Sequence, residues 1–517
     1  MLKYKPLLIA IVLAGFATVV VASQVFFRSA TTVTSPMPSQ AEDVATWSPP
    51  ELTATPGAVS APPEIGYTAT TFATTFPAAR ADGVTITPMQ ATVQLPNPGP
   101  ADGQITVNLA QKFQTMEGFG ASQRVWTDPH VANRDGPSPF FPPAVQDEIL
   151  QQLYTNMGLS RVRMSGAGYN TESAPGEFRF DCHAGDGCSI DSRISFVQRA
   201  RSYGLQTVLS EANPMKWMGP GDAVAYADSV LGLMLHWRDK GQEPEFQTIV
   251  NEPSNYVPWA DAGWHVQVVR RLGPLMRAAQ LKTKLVIPDD INACAALPIA
   301  RKVLEDTEAA QYVGAVAYHL YGGSRGCQAD IAALAAKHNV PLWMTEHTQT
   351  PDYEGSMKWA KEIHELITTY NVSAVDAMWG FFGDWAMPVF NEEDPIQVRF
   401  DAKSHYASHR LTSKFYVGGQ FARFVRPGYV RVAAPSTDPS ILSSAYFGDG
   451  NTVLVVINDA PNGRSLNVSG NVSSSLPITA LQTTSSAGWQ QLPPVQRTSA
   501  GFHVNLPSQS VTPFAWH

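Results

Sequence analysis

Two glutamates stand where strand-like stretches of the chain give way to loops. Glu252 lies in "IVNEPSNY" (249–256), where an apolar run ends at Val250 and Pro253 follows the carboxylate. Glu346 lies in "LWMTEH" (342–347), and neither glutamate has a lysine beside it. Either residue taken alone could simply cap the next helix. Together they are candidates for chemistry that needs two carboxyl groups held on rigid supports.

Cleavage of a glycosidic bond is chemistry of this kind. One protonated carboxylic acid assists the leaving oxygen, and one carboxylate attacks or stabilises the anomeric carbon. Aromatic side chains stack on sugar faces, and several tryptophans follow the ends of predicted strands: Trp126, Trp217, Trp259, Trp379 and Trp385. Trp343 lies on the opposite side of its strand from Glu346 if alternation is regular, so we expect it in the core between barrel and helices.

A repeating pattern of strands and helices would have to position these residues. From Gly118, short apolar runs alternate eight times with amphipathic helix patterns, from "GFGAS" and "PPAVQDEILQQLYTN" to "AVDAMWGFF" and "SHYASHRLTSKFY". Such alternation indicates parallel strands. Eight units over roughly 290 residues suit an α/β fold of the (β/α)₈ TIM barrel type. The alternative, a doubly wound open sheet, usually has fewer strands and a glycine-rich phosphate turn that is absent here.

Barrel enzymes carry their chemistry at the C-terminal ends of the strands. The eight predicted strands offer, at or after these ends, Arg163, Glu211, Asn213, Asn251, Glu252, Asp289, Asp290, His319, Tyr321, Glu346, His347 and Trp379. Asp289 and Asp290 are typical of a loop or cap pair, and Glu211 precedes the turn at Asn213-Pro214. No HExxH or paired-histidine spacing occurs, so we predict neither a metal nor a cofactor.

The segments outside the barrel differ in composition. Residues 1–28 resemble a signal peptide or a membrane anchor, because two lysines precede a long apolar run. Residues 29–102 are rich in Ser, Thr, Pro and Ala and predict an extended linker. We assign the barrel to residues 118–414. Residues 103–117 and 415–517 have strand patterns and predict an attached antiparallel β-sandwich.

Charge and cysteine content narrow the class of protein further. The formal net charge is −8, so the basic field that nucleic acid requires is missing. The cysteines are Cys182, Cys188, Cys294 and Cys327, an even number without zinc-type spacing. Cys182 and Cys188 flank a short glycine-rich loop and predict one disulfide, which leaves Cys294 and Cys327 for a second. The protein is therefore expected to be secreted or otherwise outside the cytoplasm, with an N-terminal anchor as an alternative.

Six stretches, in order, carry a resemblance to a known family: "QTMEGFGAS", "ANPMKWM", "IVNEPSNY", "YHLYGG", "LWMTEH" and "FARFVRPGYVRV". From about Gly103 to the C-terminus the chain resembles glycoside hydrolase family 30, within the clan of retaining barrel glycosidases. "LWMTEH" and "RFVRPGY" look most like its xylanase branch.

The resemblance implies a role for each strand-end residue. Glu252 would be the general acid/base and Glu346 the nucleophile, with the carboxyl groups ~5 Å apart, as in retaining enzymes. Asn251 would bind the sugar 2-hydroxyl. Arg163, His319 and Tyr321 would orient and ionise Glu346, and the tryptophans would bind substrate. The acid must keep its proton, so we expect a less polar pocket around it.

The substrate implied is a plant-type polysaccharide or oligosaccharide, and the activity implied is endo-β-1,4-xylanase-like. The xylanases that bind glucuronyl groups carry arginine and aromatic residues after the eighth strand, whereas this chain has an acidic segment there, with Asp384, Glu392, Glu393 and Asp394, and Arg399 as a cation. Other family activities stay open: β-1,6-glucanase or galactanase, glucosylceramidase-like and β-xylosidase. A non-catalytic carbohydrate-binding or wall-attachment protein is the alternative of another class.

Overall fold

The computed structural model of the chain describes residues 100–123, 141–165, 172–180, 190–210, 214–215, 217–322, 326–350, 352–382, 394–400, 406–472, 477–498 and 500–517. All of them belong to one compact unit. The predicted leader, nearly all of the predicted linker, Trp126, Trp385, Cys182 and Cys188 lie outside these residues.

Eight parallel strands close into a barrel, which confirms the predicted fold class. Neighbours in the chain are neighbours in space, and the first strand pairs with the last, with Gly118 opposite Ala374. The barrel strands are β2 Gly118–Ser122, β3 Arg161–Ser165, β4 Gln206–Ser210, β5 Phe246–Thr248, β6 Lys284–Asp290, β7 Val313–His319, β8 Leu342–Glu346 and β9 Ala374–Ala377.

Helices connect the strands and cover the outside of the barrel. They are α1 Pro143–Leu150 with a π-helical turn Gln151–Asn156, α2 Ile190–Arg201, α3 Ala223–Asp239, α4 Pro253–Tyr256, α5 Ala262–Ala278, α6 Ala293–Leu304, α7 Thr307–Ala310, α8 Gln328–Lys337 and α9 Tyr353–Tyr370. Several begin at a side chain that accepts a backbone N–H three residues on: Asp222, Asp261, Asn292, Asp306 and Asp352. Such caps fix where each helix starts after its loop.

The inside of the barrel holds its own apolar cluster, separate from the core between strands and helices. Its members come only from barrel strands: Val208, Phe246, Val286, Ala315, Ala317, Trp343 and Ala374. The expectation that Trp343 packs between barrel and helices is therefore wrong. Its indole faces the guanidinium of Arg161 at 4.0 Å inside the barrel, because strand β8 does not alternate regularly up to Glu346.

A sandwich of mainly antiparallel strands forms the second part of the unit. Strand β1 (Gly103–Thr115) joins its two layers. Its first half runs parallel to β16 (Arg464–Gly470), and its second half runs antiparallel to β13 (Val430–Ala433). The other strands are β13 Val430–Ala433, β14 Ile441–Gly448, β15 Asn451–Asn458, β16 Arg464–Gly470, β17 Thr479–Thr484, β18 Ala487–Gln491, β19 Gln496–Thr498, β20 Gly501–Leu506 and β21 Ser510–Trp516. Apolar residues of both layers, such as Leu466 and Phe514, meet in one buried core.

The segment predicted as the last helix is divided differently. Residues Tyr406–Leu411 form strand β12, which pairs with β11 (Ile396–Phe400) beside the short β10 (Phe381–Phe382). Helix α10 then runs over Ser413–Ala422, past the predicted end at Tyr416. No residue of strand β12 is buried, so its sequence lacks the alternation of apolar residues that would indicate a strand. A Cβ at Gly419 would collide with Trp489, so close packing requires glycine at this helical position.

Among the helices of the described residues, none is both long and apolar enough to cross a membrane.

Candidate active site

The polar residues of the site meet at the C-terminal ends of strands β3 to β8. Arg163 comes from β3, Asn251 and Glu252 from the turn after β5, His319 from β7 and Glu346 from β8. These strands are parallel and adjacent, so their ends converge on one mouth of the barrel. The structure thus brings together five of the residues selected from the sequence.

Glu252 occupies a backbone conformation that is uncommon for a residue with a side chain. Its φ is 45° and ψ 61°, in the left-handed region, immediately before α4. The Glu252 N–H donates to the Asp289 carbonyl at 2.9 Å. Ser254 follows and donates through Oγ to Asp290 at 2.6 Å and through N–H at 3.2 Å. These bonds hold the turn to β6, so the direction of the Glu252 side chain is fixed.

Glu346 reaches the barrel mouth because β8 contains an irregularity. Tyr318 pairs with Met344 but His319 pairs with Glu346, so Thr345 is an extra residue. Thr345 donates to Asp289 at 2.5 Å inside the barrel, and Glu346 also turns towards the interior. A β-bulge of this kind commonly redirects a side chain next to a functional site.

Two donors satisfy a negative charge on Glu346. Arg163 Nη1 lies 2.7 Å from one carboxylate oxygen, and the Tyr321 hydroxyl donates to the other at 3.1 Å. The side chain of Glu346 is 14% exposed, so solvent contributes little to its charge stabilisation. Arg163 and Tyr321 thus both contact the Glu346 carboxylate, and their role in orienting and ionising it stays a prediction.

Arg163 is a buried cation held by several acceptors. Its Nη2 donates to Asp289 at 2.9 Å, to Ser210 at 2.9 Å and to Asn251 at 2.5 Å. Burial would lower the pKa of Arg163, but the charges of Asp289 and Glu346 raise it above its ordinary value. The guanidinium therefore stays charged and fixes three neighbours in one geometry.

His319 lies closer to Glu252 than to Glu346, whereas its predicted role concerned Glu346. Its Nδ1 is 2.8 Å from Glu252 Oε1 and 3.9 Å from Glu346 Oε1. Burial would lower the pKa of His319, but the negative charge of Glu346 and hydrogen bonds with Asp289 and Glu252 raise it to about 9. The side chain is an imidazolium at neutral pH, shared among carboxylates.

This raised pKa predicts a pH dependence of stability. His319 contributes fully below the unfolded-state pKa of about 6.5, and its contribution is lost as pH rises through about 9. We expect the difference in unfolding free energy between wild type and His319→Asn to fall by about 3 kcal/mol over this interval. Urea titrations from pH 6 to 10 test it, and a constant difference would contradict a charged His319.

The environment of Glu252 is more polar than the sequence suggested. Burial raises the pKa of Glu252, but hydrogen bonds from His319 and Asn255 outweigh it and leave the pKa lowered. Asn255 Nδ2 donates to Oε2 at 2.9 Å and His319 occupies Oε1. The expectation of an apolar pocket that retains the proton does not hold in the free protein.

Asp289 belongs to the site, although the sequence predicts a loop or cap residue at this position. It is fully buried and receives hydrogen bonds from Arg163, Thr345 and Ser210. Burial would raise its pKa, but Arg163 and His319 lower it well below the ordinary range. Its position at the end of a predicted strand was the available signal. Asp290 does act as a cap, accepting the N–H groups of Ser254 and Ile291.

Aromatic residues lie on loops that follow the strands. Trp217, Trp259 and Trp379 are each partly exposed, and Trp259 packs edge-on against Trp264 at 5.5 Å between ring centroids. Each keeps part of its surface exposed to solvent, and its role in sugar binding stays a prediction. Arg399 lies on β11 and is exposed, and Asp394 is buried, while Asp384, Glu392 and Glu393 lie outside the described residues.

A disulfide supports the loop that carries Tyr321. Cys294 at the start of α6 is bonded to Cys327 before α8. The same two loops are joined by the Tyr321 N–H, which donates to the Ile291 carbonyl at 3.2 Å, and by Asn292 Nδ2, which donates to the Gly322 carbonyl at 2.9 Å. The disulfide and the two hydrogen bonds therefore restrain the loop that positions the Tyr321 phenol against Glu346.

The distance between the carboxyl groups of Glu252 and Glu346 limits the reactions that this pair can catalyse. Glu252, His319 and Glu346 each contribute an atom to a group within 4.8 Å of one another. Such a trio could surround a cation, but a protonated His319 has no lone pair to offer and Arg163 already neutralises Glu346. Two carboxylates at about this separation match retaining glycosidases, because inverting enzymes need about 6.5–9.5 Å.

Comparisons with known proteins agree with this fold. No family model matches the chain. It is 25% identical over 301 residues to glucuronoxylanase XynC of Bacillus subtilis, and the match covers 56% of this chain and 65% of that protein, just under two thirds of its length. The fold matches a family 30 subfamily 8 xylanase, Xyn30A of Clostridium acetobutylicum, with a TM-score of 0.62 and 25% identity over 80% of this chain and 99% of the other. The resemblance to glycoside hydrolase family 30, with its xylanase branch, is confirmed.

A further family 30 structure has the same architecture. The endoxylanase of Clostridium papyrosolvens C71 matches with a TM-score of 0.64 and 22% identity, over 80% of this chain and 100% of the other. The fifth of this chain that the match leaves uncovered is about as long as the N-terminal segment that precedes residue 100. The shared part contains both the barrel and the sandwich, as expected for family 30.

Proposed function

We propose that the chain is an exported, retaining β-glycoside hydrolase that cleaves a xylan-type polysaccharide. The observation that carries the proposal is the pair of carboxylates, Glu252 and Glu346, whose oxygens approach within 4.8 Å at the mouth of the barrel. That separation leaves room for a sugar but not for an additional water between sugar and base, as double displacement requires.

In the first step Glu346 attacks the anomeric carbon while Glu252 gives its proton to the leaving oxygen. The Glu346–carbon bond forms as the glycosidic bond breaks, and the leaving chain departs as an alcohol. Arg163 and Tyr321 hold the attacking carboxylate in place. In the second step the ionised Glu252 takes a proton from water, whose oxygen displaces Glu346 and restores the starting configuration.

Asn251 is suited to binding the sugar in the reactive subsite. Its amide oxygen accepts from Arg163, which directs the amide NH2 group as a donor for a sugar hydroxyl. A hydrogen bond to the 2-hydroxyl that strengthens in the transition state would contribute to catalysis.

Similarity to glucuronoxylanase XynC and to the family 30 xylanases supports xylan as the substrate. The acidic residues after the eighth barrel strand favour xylan without an obligatory glucuronyl group, because carboxylates repel one another. Export is supported by the Cys294–Cys327 disulfide and the composition of residues 1–28.

Product release by the full chain from a panel of polysaccharides tests this proposal. The panel contains glucuronoxylan, linear xylan, arabinoxylan, β-1,6-glucan and β-1,6-galactan, and Glu346→Gln is the matched control. We expect oligosaccharides from decorated and linear xylan and none from the control. Release from a β-1,6-glycan alone would overturn the substrate, and binding without release from any glycan would favour the carbohydrate-binding alternative.

A further inference from the structure

Each oxygen of the Glu252 carboxylate accepts a hydrogen bond, and the two donors come from different parts of the fold. His319 Nδ1 lies 2.8 Å from Oε1 and belongs to the buried cluster at the barrel mouth. Asn255 Nδ2 lies 2.9 Å from Oε2 and belongs to the same short segment as Glu252 itself. His319 is fully buried, whereas Asn255 is exposed. The second donor therefore sits on the solvent side of the carboxylate.

The local backbone places this donor. Glu252 lies after the end of β5 and has the left-handed backbone conformation. Helix α4 begins at the next residue. The Asn255 N–H donates to the Glu252 carbonyl at 2.9 Å, and side chains three residues apart lie on one face of such a turn. Ser254, bonded to Asp290, fixes the same turn to β6. Asn255 is thus aimed back at Glu252 by a turn that is itself anchored.

We propose that Asn255 is a positioning residue for Glu252: its amide holds Oε2 and sets the highest pH at which the first half-reaction proceeds. This inference rests on the proposed role of Glu252 as acid/base. A hydrogen bond donated to a carboxylate favours the ionised form. Glu252 must carry a proton to assist the leaving oxygen, so this donor limits the fraction of active molecules as pH rises.

Other charged or titratable groups also face Glu252 and its turn, and they set the background for this effect. They are the imidazolium of His319 and the phenol of Tyr321 from β7 and its loop, the guanidinium of Arg163 from β3, and the carboxyl groups of Glu346 from β8 and of Asp289 and Asp290 from β6. These groups belong to the buried network, where a substitution disturbs several contacts together. The Asn255 side chain contacts the Glu252 carboxylate from the solvent side, so its substitution changes a single hydrogen bond of Glu252.

The pH profile of kcat/KM for the full chain tests the inference with two variants. Asn255→Ala removes the donor, so Glu252 keeps its proton to higher pH and the alkaline limb moves upward. We expect the relative kcat/KM, one pH unit above the wild-type alkaline midpoint, to rise about two- to threefold. Asn255→Asp keeps the shape but places a carboxylate beside Glu252, so the alkaline limb should move further in the same direction.

Asn255→Ala tests the hydrogen bond itself, whereas Asn255→Asp also adds a charge beside Glu252. If Asn255 only filled space, Asn255→Ala would retain the wild-type alkaline limb, and that result would overturn the inference. Asn156→Ala is the matched control, because Asn156 donates to Gln152 on the outer surface of the barrel and should leave the alkaline limb unchanged.

A direct titration keeps this test independent of turnover. The full chain is labelled with ¹³C at glutamate side-chain carboxyl groups, and the Glu252 signal is assigned by its loss in Glu252→Gln. We expect its midpoint to move to higher pH in both Asn255 variants, even if wild type cleaves no glycan on the panel. Equal midpoints in all three proteins would refute the positioning role, whereas absent turnover with shifted midpoints would refute only the proposed activity.

Discussion

Glu346→Ala is expected to lower kcat by at least about 10⁴-fold, since removing a nucleophile that acts in concert with an acid abolishes the covalent route. Binding of the glycan should persist, because Asn251 and the partly exposed tryptophans are unchanged. A steady-state assay on the substrate identified by the panel, together with calorimetric titration of an oligosaccharide, measures both quantities.

A small anion offers a sharper form of this prediction. Azide can enter the space vacated in Glu346→Ala and attack the anomeric carbon from the side on which the carboxylate stood. The product is then a glycosyl azide of inverted configuration, formed in one displacement. In Glu252→Ala, which keeps the nucleophile, azide would instead attack the covalent intermediate and give retained configuration. A retained product from Glu346→Ala and an inverted product from Glu252→Ala would instead identify Glu252 as the nucleophile and Glu346 as the acid/base.

Asp289→Asn is expected to lower the free energy of unfolding by about 3–5 kcal/mol, because it leaves the buried cations of Arg163 and His319 short of a counter-charge. Arg163 and Asp289 have side chains that are 5% and 0% exposed. Activity should fall as well, since Arg163 and His319 hold the two glutamates. Urea unfolding and kcat measured on the same preparations test both effects.

The sign of the pH dependence distinguishes this charge from simple packing. The pKa of Asp289 is lowered by folding, so its contribution is present above the unfolded-state pKa of about 3.9 and lost as pH falls below it. Asp228→Asn is the matched control, because the Arg271–Asp228 pair is 46% exposed on both sides. It should cost less than about 1 kcal/mol. A similar loss in both variants would contradict a special role for the buried pair.

The order of elements was predictable from the sequence because each barrel strand and helix buries a face of its own. Apolar runs such as that before Glu252 and amphipathic helices such as α5 carry their period locally. The positions of Glu252, Glu346 and Arg163 at strand ends followed directly. Strand β12 did not, since none of its residues is buried and it shows no alternation of apolar residues.

Several details of the site depend on local departures from regular strand geometry. The alternation of apolar and polar residues in a sequence does not reveal such departures. The extra residue Thr345 lets Thr345 and Glu346 face the barrel together, and it places Trp343 inside rather than outside. Two adjacent aspartates in the sequence resemble a cap pair, whereas in the structure only Asp290 acts as a cap. Whether an aspartate caps a helix or joins the buried site depends on its burial and on its charged partners. Both are set by residues that are distant in the chain.

The lowered pKa of Glu252 has a consequence for the proposed reaction. In the free protein His319 and Asn255 favour the ionised form, which is the form needed as base in the second step. The first step uses the protonated form, so its rate should decline on the alkaline side. The donors that favour deglycosylation thus restrict glycosylation, and the pH profile reflects their balance.

The stereochemistry of the first product tests the central claim most directly. The full chain is mixed with its substrate, and ¹H NMR spectra are recorded before the new reducing end equilibrates. Two carboxylates this close predict that the β anomer appears first and the α anomer grows later by mutarotation. Initial appearance of the α anomer would show a single displacement by water, and would contradict the assignment of Glu346 as nucleophile and Glu252 as acid/base.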